Sequence, residues 1–140
     1  MPVLGTSKTH SLEEAIPPGL SLGIAFQITN ILRDVGEDAL RGRIYLPRED
    51  MARFGVTEDQ IIKGVLDENY KDLMKFEIQR ARDYYAEAAL GVPMLANEAR
   101  VGVAMSLRVY GGILDRVEEN GYDNFRKRAY VSKFEKFLYL

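Results

Sequence analysis

Residues 20–38, which read LSLGIAFQITNILRDVGED, decide how this sequence folds. On a helix, which advances about 100° per residue, the polar side chains of this stretch fall on one stripe about 80° wide. Apolar side chains occupy most of the remaining circumference, a pattern typical of a buried helix. The stripe consists of Gly23, Gln27, Asn30, Asp34 and Asp38.

Two carboxylates on a largely apolar helix need a compensating charge, because an unpaired carboxylate is costly to remove from water. Asp34 and Asp38 are four residues apart, so their like charges also repel across one helical turn. A bound divalent cation resolves both problems, since Mg²⁺ takes oxygen ligands and often binds one or two carboxylates together with substrate phosphates. The alternative is a solvated acidic face, which Asp and Glu at helical spacing usually indicate. The residues alone leave both interpretations open.

Arginines surround the carboxylate pair and are candidates for a diphosphate site. The planar guanidinium group matches phosphate oxygens in two-point hydrogen bonding. Their alternative role is ordinary pairing with neighbouring surface carboxylates, above all for Arg48. The arginines are Arg33, Arg41, Arg43 and Arg48, and the neighbouring carboxylates are Glu37, Glu49 and Asp50.

The rest of the chain also reads as helices, and no segment shows the two-residue alternation of a strand. Residues 1–19 are predicted to be loop-like, and Pro17 and Pro18 are expected to shorten the first helix by about one turn. We therefore predict an all-α fold. The predicted helices span residues 20–38, 47–54, 57–64, 68–90 and 95–119, with a terminal helix that begins near residue 132.

Length and composition describe one globular unit. The chain has 140 residues, of which 46% are hydrophobic and 29% charged, enough for one core. Its net charge of −2, with acids and bases interspersed, predicts no nucleic-acid partner. The absence of cysteine excludes disulfides and thiolate metal sites, and His10 reads as a solvated loop residue. No apolar run approaches a membrane span, and residues 1–12 carry no targeting pattern.

Three segments together resemble the squalene/phytoene synthase family. NILRDVGED at 30–38 with GRIYLP at 42–47 is similar to the family's second aspartate-rich motif. NFRKRAYV at 124–131 resembles its C-terminal motif, and YGGIL at 110–114 its penultimate-helix motif. The similarity covers nearly the whole chain but only the C-terminal half of the family's catalytic domain. It implies that residues 1–140 are the C-terminal half of an isoprenoid-synthase-type helical bundle.

The resemblance implies a Mg²⁺-dependent prenyltransferase, with Mn²⁺ as an alternative ion. The implied reaction joins two molecules of geranylgeranyl diphosphate head to head, giving phytoene and releasing diphosphate, a step of carotenoid biosynthesis. Val35-Gly36 and the GRIYLP run look like the phytoene branch of the family, which implies no NADPH requirement.

The resemblance also implies roles for individual residues. Asp34 and Asp38 are expected to hold the metal ion and to act in catalysis, with Asn30 as a further ligand. Tyr110 falls where the family has a pocket tyrosine, although a core aromatic is the interpretation that its apolar helix alone favours. The expected diphosphate-binding residues are Gln27, Asn30, Arg33, Arg128 and Lys136.

The family's first aspartate-rich motif has no counterpart in residues 1–19, and residue 1 aligns with the middle of a family domain. A truncated gene model or partial coding sequence is therefore expected. The alternative function is a non-catalytic helical module that binds prenyl diphosphate or a partner synthase. The C-terminal motif favours a plastid protein, with a bacterial cytoplasm or membrane surface as the alternative. Apolar substrate tails predict peripheral membrane association, and the sequence indicates no oligomeric state.

Overall fold

The computed structural model describes the backbone of residues 12–127 and the side chains of residues 18–97 and 99–127. Within these residues every regular element is a helix, which confirms the all-α prediction. None of these helices is long and apolar enough to cross a membrane. The predicted helix near residue 132 lies outside the described residues. The helices are α1 (Leu12–Arg33), α2 (Val35–Leu40), α3 (Arg48–Arg53), α4 (Glu58–Lys63), α5 (Glu68–Ala89) and α6 (Asn97–Glu119), with a 3₁₀ turn over Val92–Met94.

The first helix begins earlier than its prolines predict. α1 starts at Leu12, so the loop prediction is wrong for residues 12–19. Pro18 packs where Gly91 has no side chain, since a Cβ on Gly91 would lie 2.3 Å from the Pro18 Cβ. This tertiary contact favours the helix although a proline lacks the N–H that an α-helix uses.

α1, α5 and α6 pack against one another and contribute most of the core. Polar contacts also join these helices. Ser21 on α1 donates to Glu87 on α5 at 2.8 Å, and the hydroxyls of Thr29 and Tyr85 lie 2.6 Å apart in a buried pair. The three helices form the scaffold that positions the polar stripe of α1. Their most buried side chains include Ala25, Leu32, Tyr70, Leu73, Met74, Ile78, Ala81, Leu114 and Val117.

The short helix α4 begins and ends close to where the sequence predicts. Thr57 Oγ1 accepts a hydrogen bond from the Gln60 amide at 3.1 Å, and Gly64 ends the helix in the left-handed region at φ 68°. Thr57 followed three residues later by Gln60 is the sequence pattern of a capping box, but its reciprocal half does not form between these residues. The Gln60 side chain donates instead to the Val65 carbonyl at 3.1 Å and to Asp67 at 2.9 Å. The cap of α4 therefore also orients the approach to α5.

Candidate functional site

The helix that carries the stripe is interrupted at Asp34, and we call this interruption the bend. α1 ends at Arg33, Asp34 has φ −105° and ψ 12°, and α2 begins at Val35. The prediction of one unbroken helix over residues 20–38 is therefore wrong at this position. The Asp38 amide still donates to the Asp34 carbonyl at 2.8 Å, so the two carboxylates remain about one turn apart.

Arg33 forms a two-point ion pair with the carboxylate that follows it. Its Nε lies 2.8 Å from Asp34 Oδ1 and its Nη2 lies 2.9 Å from Oδ2. The two side chains are 24% and 21% exposed, so solvent screens the pair only in part. The hydrogen bond with Asp34 raises the pKa of Arg33. A permanent positive charge is thus held beside the stripe, where the sequence predicts a residue that neutralises diphosphate.

Asp38 and Asn30 both favour a bound cation. Burial raises the pKa of Asp38, and the negative charge of Asp34 raises it further, while Arg41 and Arg43 oppose the rise. Asn30 lies one turn before Asp34, and its Oδ1 is buried without a hydrogen-bond partner among the described residues. A cation would offset the cost of ionising Asp38 and satisfy the Asn30 oxygen. The donor set consists of hard oxygens, which fits Mg²⁺.

Asp34, Asp38 and Asn30 are the candidate metal-binding side chains that the described residues provide in this region. In residues 12–127, no group of three or more acidic, histidine or cysteine side chains is placed to hold a metal ion. The described part of the chain therefore offers two carboxylates and one amide oxygen. Such a set suits a metal ion that takes its remaining ligands from water and from substrate phosphates.

Tyr110 on α6 lies beside the stripe. Its ring contacts that of Phe26 on α1, with ring centroids 4.4 Å apart and planes tilted by 36°. The residue is half-buried. Its phenol is close enough to Arg33 to contribute to the raised pKa of that guanidinium. The structure thus places Tyr110 near Arg33, and it adds Phe26, which sequence reasoning did not select.

The N-terminal part of the stripe is open to solvent. Gln27 is exposed, and a Cβ added to Gly23 would have nothing within 4 Å. Leu20 and Ile24 are 65% and 36% exposed. The expectation of a buried helix is therefore wrong for this face of α1, whose opposite face packs on the core.

The remaining candidate residues fall into three groups. Arg41 and Arg43 are exposed next to Asp38 and act on its charge. Arg48 forms an exposed ion pair with Glu58 at 3.5 Å, which confirms the surface interpretation for this residue, although with another partner than predicted. The residues that lie outside the described side chains are His10, Arg128 and Lys136.

Asn124 connects the site to the scaffold, and sequence reasoning missed it. It is 3% exposed. Its Nδ2 donates to the Leu32 carbonyl at 2.8 Å and lies 3.3 Å from Met74 Sδ, and its Oδ1 accepts from the Tyr70 hydroxyl. Its backbone carbonyl accepts from the Gly36 amide at 3.1 Å. Its position in the NFRKRAYV segment was the signal that could have identified Asn124, because helical periodicity does not distinguish this residue.

Comparison with known proteins agrees with the motifs. The profile of the squalene/phytoene synthase family matches residues 1–135. The 15-cis-phytoene synthase of Synechococcus elongatus is 48% identical over 147 residues, which cover 99% of this chain and 48% of that protein. The chloroplastic phytoene synthase 1 of Zea mays is 48% identical over 142 residues, which cover 100% of this chain and 35% of that protein. The chain thus spans about half the length of these relatives or less.

Two solved structures share the fold. A dehydrosqualene synthase in complex with ligand superposes with a TM-score of 0.77 at 35% identity, covering 87% of this chain and 43% of that one. The squalene synthase HpnC of Alicyclobacillus acidocaldarius gives a TM-score of 0.75 at 24% identity, covering 78% of this chain and 41% of that one. These likenesses confirm the expected helical architecture.

Proposed function

Since the chain belongs to the squalene/phytoene synthase family, we propose that it serves the head-to-head joining of two molecules of geranylgeranyl diphosphate to phytoene, with release of diphosphate. The observation that carries the proposal is the bent carboxylate pair, with Asp34 paired to Arg33 and the pKa of Asp38 raised by burial. The two relatives described above, each 48% identical, are named phytoene synthases, which favours phytoene as the product.

Asp34, Asp38 and the Asn30 oxygen are the residues that would hold Mg²⁺, or Mn²⁺ in its place. When bound, the ion neutralises the charge that develops on the departing diphosphate. Arg33 contributes to the same end. Its guanidinium carries five N–H donors, and two of them bind Asp34. The others are available to phosphate oxygens beside the carboxylates, as the resemblance implies for this residue.

The aromatic pair next to Arg33 serves the organic part of the substrate. Phe26 and Tyr110 form a wall in which the rings contact each other. Such a wall excludes water from an allylic cation and turns the negative face of a ring towards positive charge. Exposed Leu20 and Ile24 add apolar surface on the face of α1 that carries Gly23 and Gln27. We assign that surface to the isoprenoid tails, with Gly23 leaving room for them.

The proposed reaction requires no NADPH, because joining two allylic diphosphates to phytoene involves loss of two diphosphates and two protons but no net reduction. Arg128 and Lys136 keep the diphosphate-binding roles that the sequence motif predicts. The matched relatives include cyanobacterial and chloroplastic proteins. A plastid location, with peripheral membrane association through the apolar product, is our proposal from the C-terminal motif.

The test is a product assay with the purified chain, geranylgeranyl diphosphate and Mg²⁺, analysed by chromatography. We expect phytoene that forms without NADPH and disappears in Asp34→Ala. Substrate binding that depends on Mg²⁺ but gives no product would show that residues 1–140 bind prenyl diphosphate without turnover, which both the alternative module and a catalytic half that needs the first aspartate-rich motif predict. The alternative is favoured by the small number of acidic ligands, because the described residues place only two carboxylates at the site. Substrate binding that is indifferent to Mg²⁺ would contradict both functions.

A further inference from the structure

We propose that Asn124 is a positioning residue, which sets the bend between α1 and α2 and so places the Asp34 carboxylate relative to Asp38. The consequence for ligand binding rests on the proposed function, whereas the consequence for the bend does not. The residue lies far from the stripe in sequence, since the Leu32 carbonyl that it contacts is 92 positions away. Its four contacts nevertheless converge on the bend and on α5.

Asn124 binds two backbone groups that an unbroken helix would pair with each other. The Leu32 carbonyl and the Gly36 amide are four residues apart, and in an uninterrupted α-helix they would pair with each other. Asn124 offers each of them another partner, at 2.8 Å from its side-chain nitrogen and 3.1 Å from its carbonyl oxygen. Asp34 lies midway between them and is the residue that leaves helical geometry. A group inserted into the helical hydrogen-bond ladder is a recognised cause of a sharp kink.

The Asn124 side chain also binds α5, on the side that faces away from α1. Its Oδ1 accepts from the Tyr70 hydroxyl, and Tyr70 is fully buried at the start of α5. Burial raises the pKa of Tyr70, so the hydroxyl keeps its proton and acts as the donor. The Phe125 ring packs on that of Tyr70, with centroids 4.5 Å apart. The Asn124 amide is therefore anchored to the buried start of α5.

The backbone at Asn124 and Phe125 approaches α2 closely because Gly36 has no side chain. A Cβ on Gly36 would lie 2.3 Å from the Phe125 carbonyl oxygen and 2.8 Å from that of Asn124. Real Cβ atoms do not approach backbone oxygens so closely, so the position admits glycine alone without a shift of one segment. The glycine of the aspartate-rich motif and the asparagine of the C-terminal motif thus belong to one contact.

Both ends of the Asn124 side-chain amide form hydrogen bonds. Asn124 donates to a carbonyl with one end of its amide and accepts from a hydroxyl with the other. Aspartate keeps the acceptor but has no donor when ionised, whereas alanine has neither. Asn124→Asp is therefore the sharp variant. Tyr70→Phe is its matched control, because it removes a buried hydrogen bond from the same amide on the side away from α1.

The experiment compares wild type, Asn124→Asp and Tyr70→Phe by three measurements. These are the thermal midpoint, the backbone chemical shifts of Asp34 and Gly36 by NMR, and the affinity for inorganic pyrophosphate in the presence of Mg²⁺. We expect both variants to lower the thermal midpoint. We expect only Asn124→Asp to move the Asp34 shifts towards helical values and to weaken pyrophosphate binding about tenfold or more, as loss of outer-shell support typically does. Tyr70→Phe should leave that affinity close to that of wild type, because Asn124 keeps its hydrogen bonds to the Leu32 carbonyl and the Gly36 amide.

Unchanged Asp34 shifts in Asn124→Asp would overturn the proposal, and so would equal changes in both variants. If wild type itself does not bind pyrophosphate with Mg²⁺, the proposed function fails, while the Asp34 shifts still decide the role of Asn124. Should Asn124→Asp not fold, Asn124→Ser takes its place. The serine hydroxyl is too short to reach the Leu32 carbonyl, so the same shift of Asp34 is expected.

Discussion

Glu77 lies buried on α5 with its Oε2 3.6 Å from Nη1 of Arg80, and its side chain is 2% exposed. The same Arg80 nitrogen is 3.8 Å from Asp50 of α3. Burial raises the pKa of Glu77 to about 8, Asp50 adds to the rise, and Arg80 opposes it. One guanidinium therefore faces two carboxyl groups at the contact between α3 and α5, and burial favours the protonated form of Glu77.

This arrangement predicts a pH-dependent stability. The folded pKa of Glu77, about 8, exceeds its ordinary value of 4.5, so folding takes up a proton between those values. The free energy of unfolding should then fall as the pH rises through this window and level off above it. Glu77→Gln cannot ionise and should flatten the dependence, raising the free energy of unfolding near pH 8 by up to about 4 kcal/mol.

Urea unfolding across the window measures the Glu77 effect. Glu68→Gln, an exposed change on the same helix, is the control and should leave the wild-type slope in place. A Glu77→Gln protein whose stability falls with pH as steeply as wild type would show that another group titrates.

The close approach at Gly36 predicts a second stability difference. Gly36→Ala should destabilise the fold by about 1–3 kcal/mol, because the new methyl group meets the Phe125 carbonyl and one segment has to move. Gly102→Ala is the matched control within α6, where a Cβ meets nothing within 4 Å. That change should stabilise by about 0.5–1 kcal/mol through helix propensity. Urea unfolding distinguishes the two, and equal effects would contradict the tight packing at Gly36.

The Arg33–Asp34 ion pair predicts opposite effects on two ligands. Arg33→Gln removes a cation that competes for the Asp34 carboxylate, so Mn²⁺ alone should bind severalfold more tightly. The same change removes a donor for phosphate oxygens, so pyrophosphate with Mg²⁺ should bind more weakly. Electron paramagnetic resonance of Mn²⁺ and calorimetry measure the two affinities. Arg48→Gln, in an exposed pair with Glu58, should alter neither. Affinities that fall together would mean that the ion pair holds Asp34 in position for the metal ion rather than competing with it.

Local sequence signals predicted most of the described fold. Helical periodicity and caps placed α3, α4, α5 and α6 within a few residues, because Thr57 and Gly64 act on their immediate neighbours. Contacts distant in sequence account for the errors. α1 extends to Leu12 where Pro18 packs on Gly91, and no local pattern reports that contact.

The candidate site shows the same division. Spacing alone put Asn30, Asp34 and Asp38 on one stripe, and the resemblance added Tyr110. The break at Asp34 could not be predicted from local sequence. The Leu32 carbonyl and the Gly36 amide on either side of it bind Asn124, which is distant in sequence. The pairing of Arg33 with Asp34 also escaped prediction, because sequence spacing does not say which of two acceptors, carboxylate or phosphate, an arginine binds.

Calorimetric titration with inorganic pyrophosphate, with and without Mg²⁺, tests most directly the claim that the bend carries a metal–diphosphate site. Wild type, Asp38→Asn and Glu37→Gln are compared, because the last two lose the same charge at adjacent positions of α2. Wild type and Glu37→Gln should bind pyrophosphate only with Mg²⁺, and Asp38→Asn should lose that binding. Binding that persists in Asp38→Asn, or that needs no Mg²⁺ in wild type, would contradict the account.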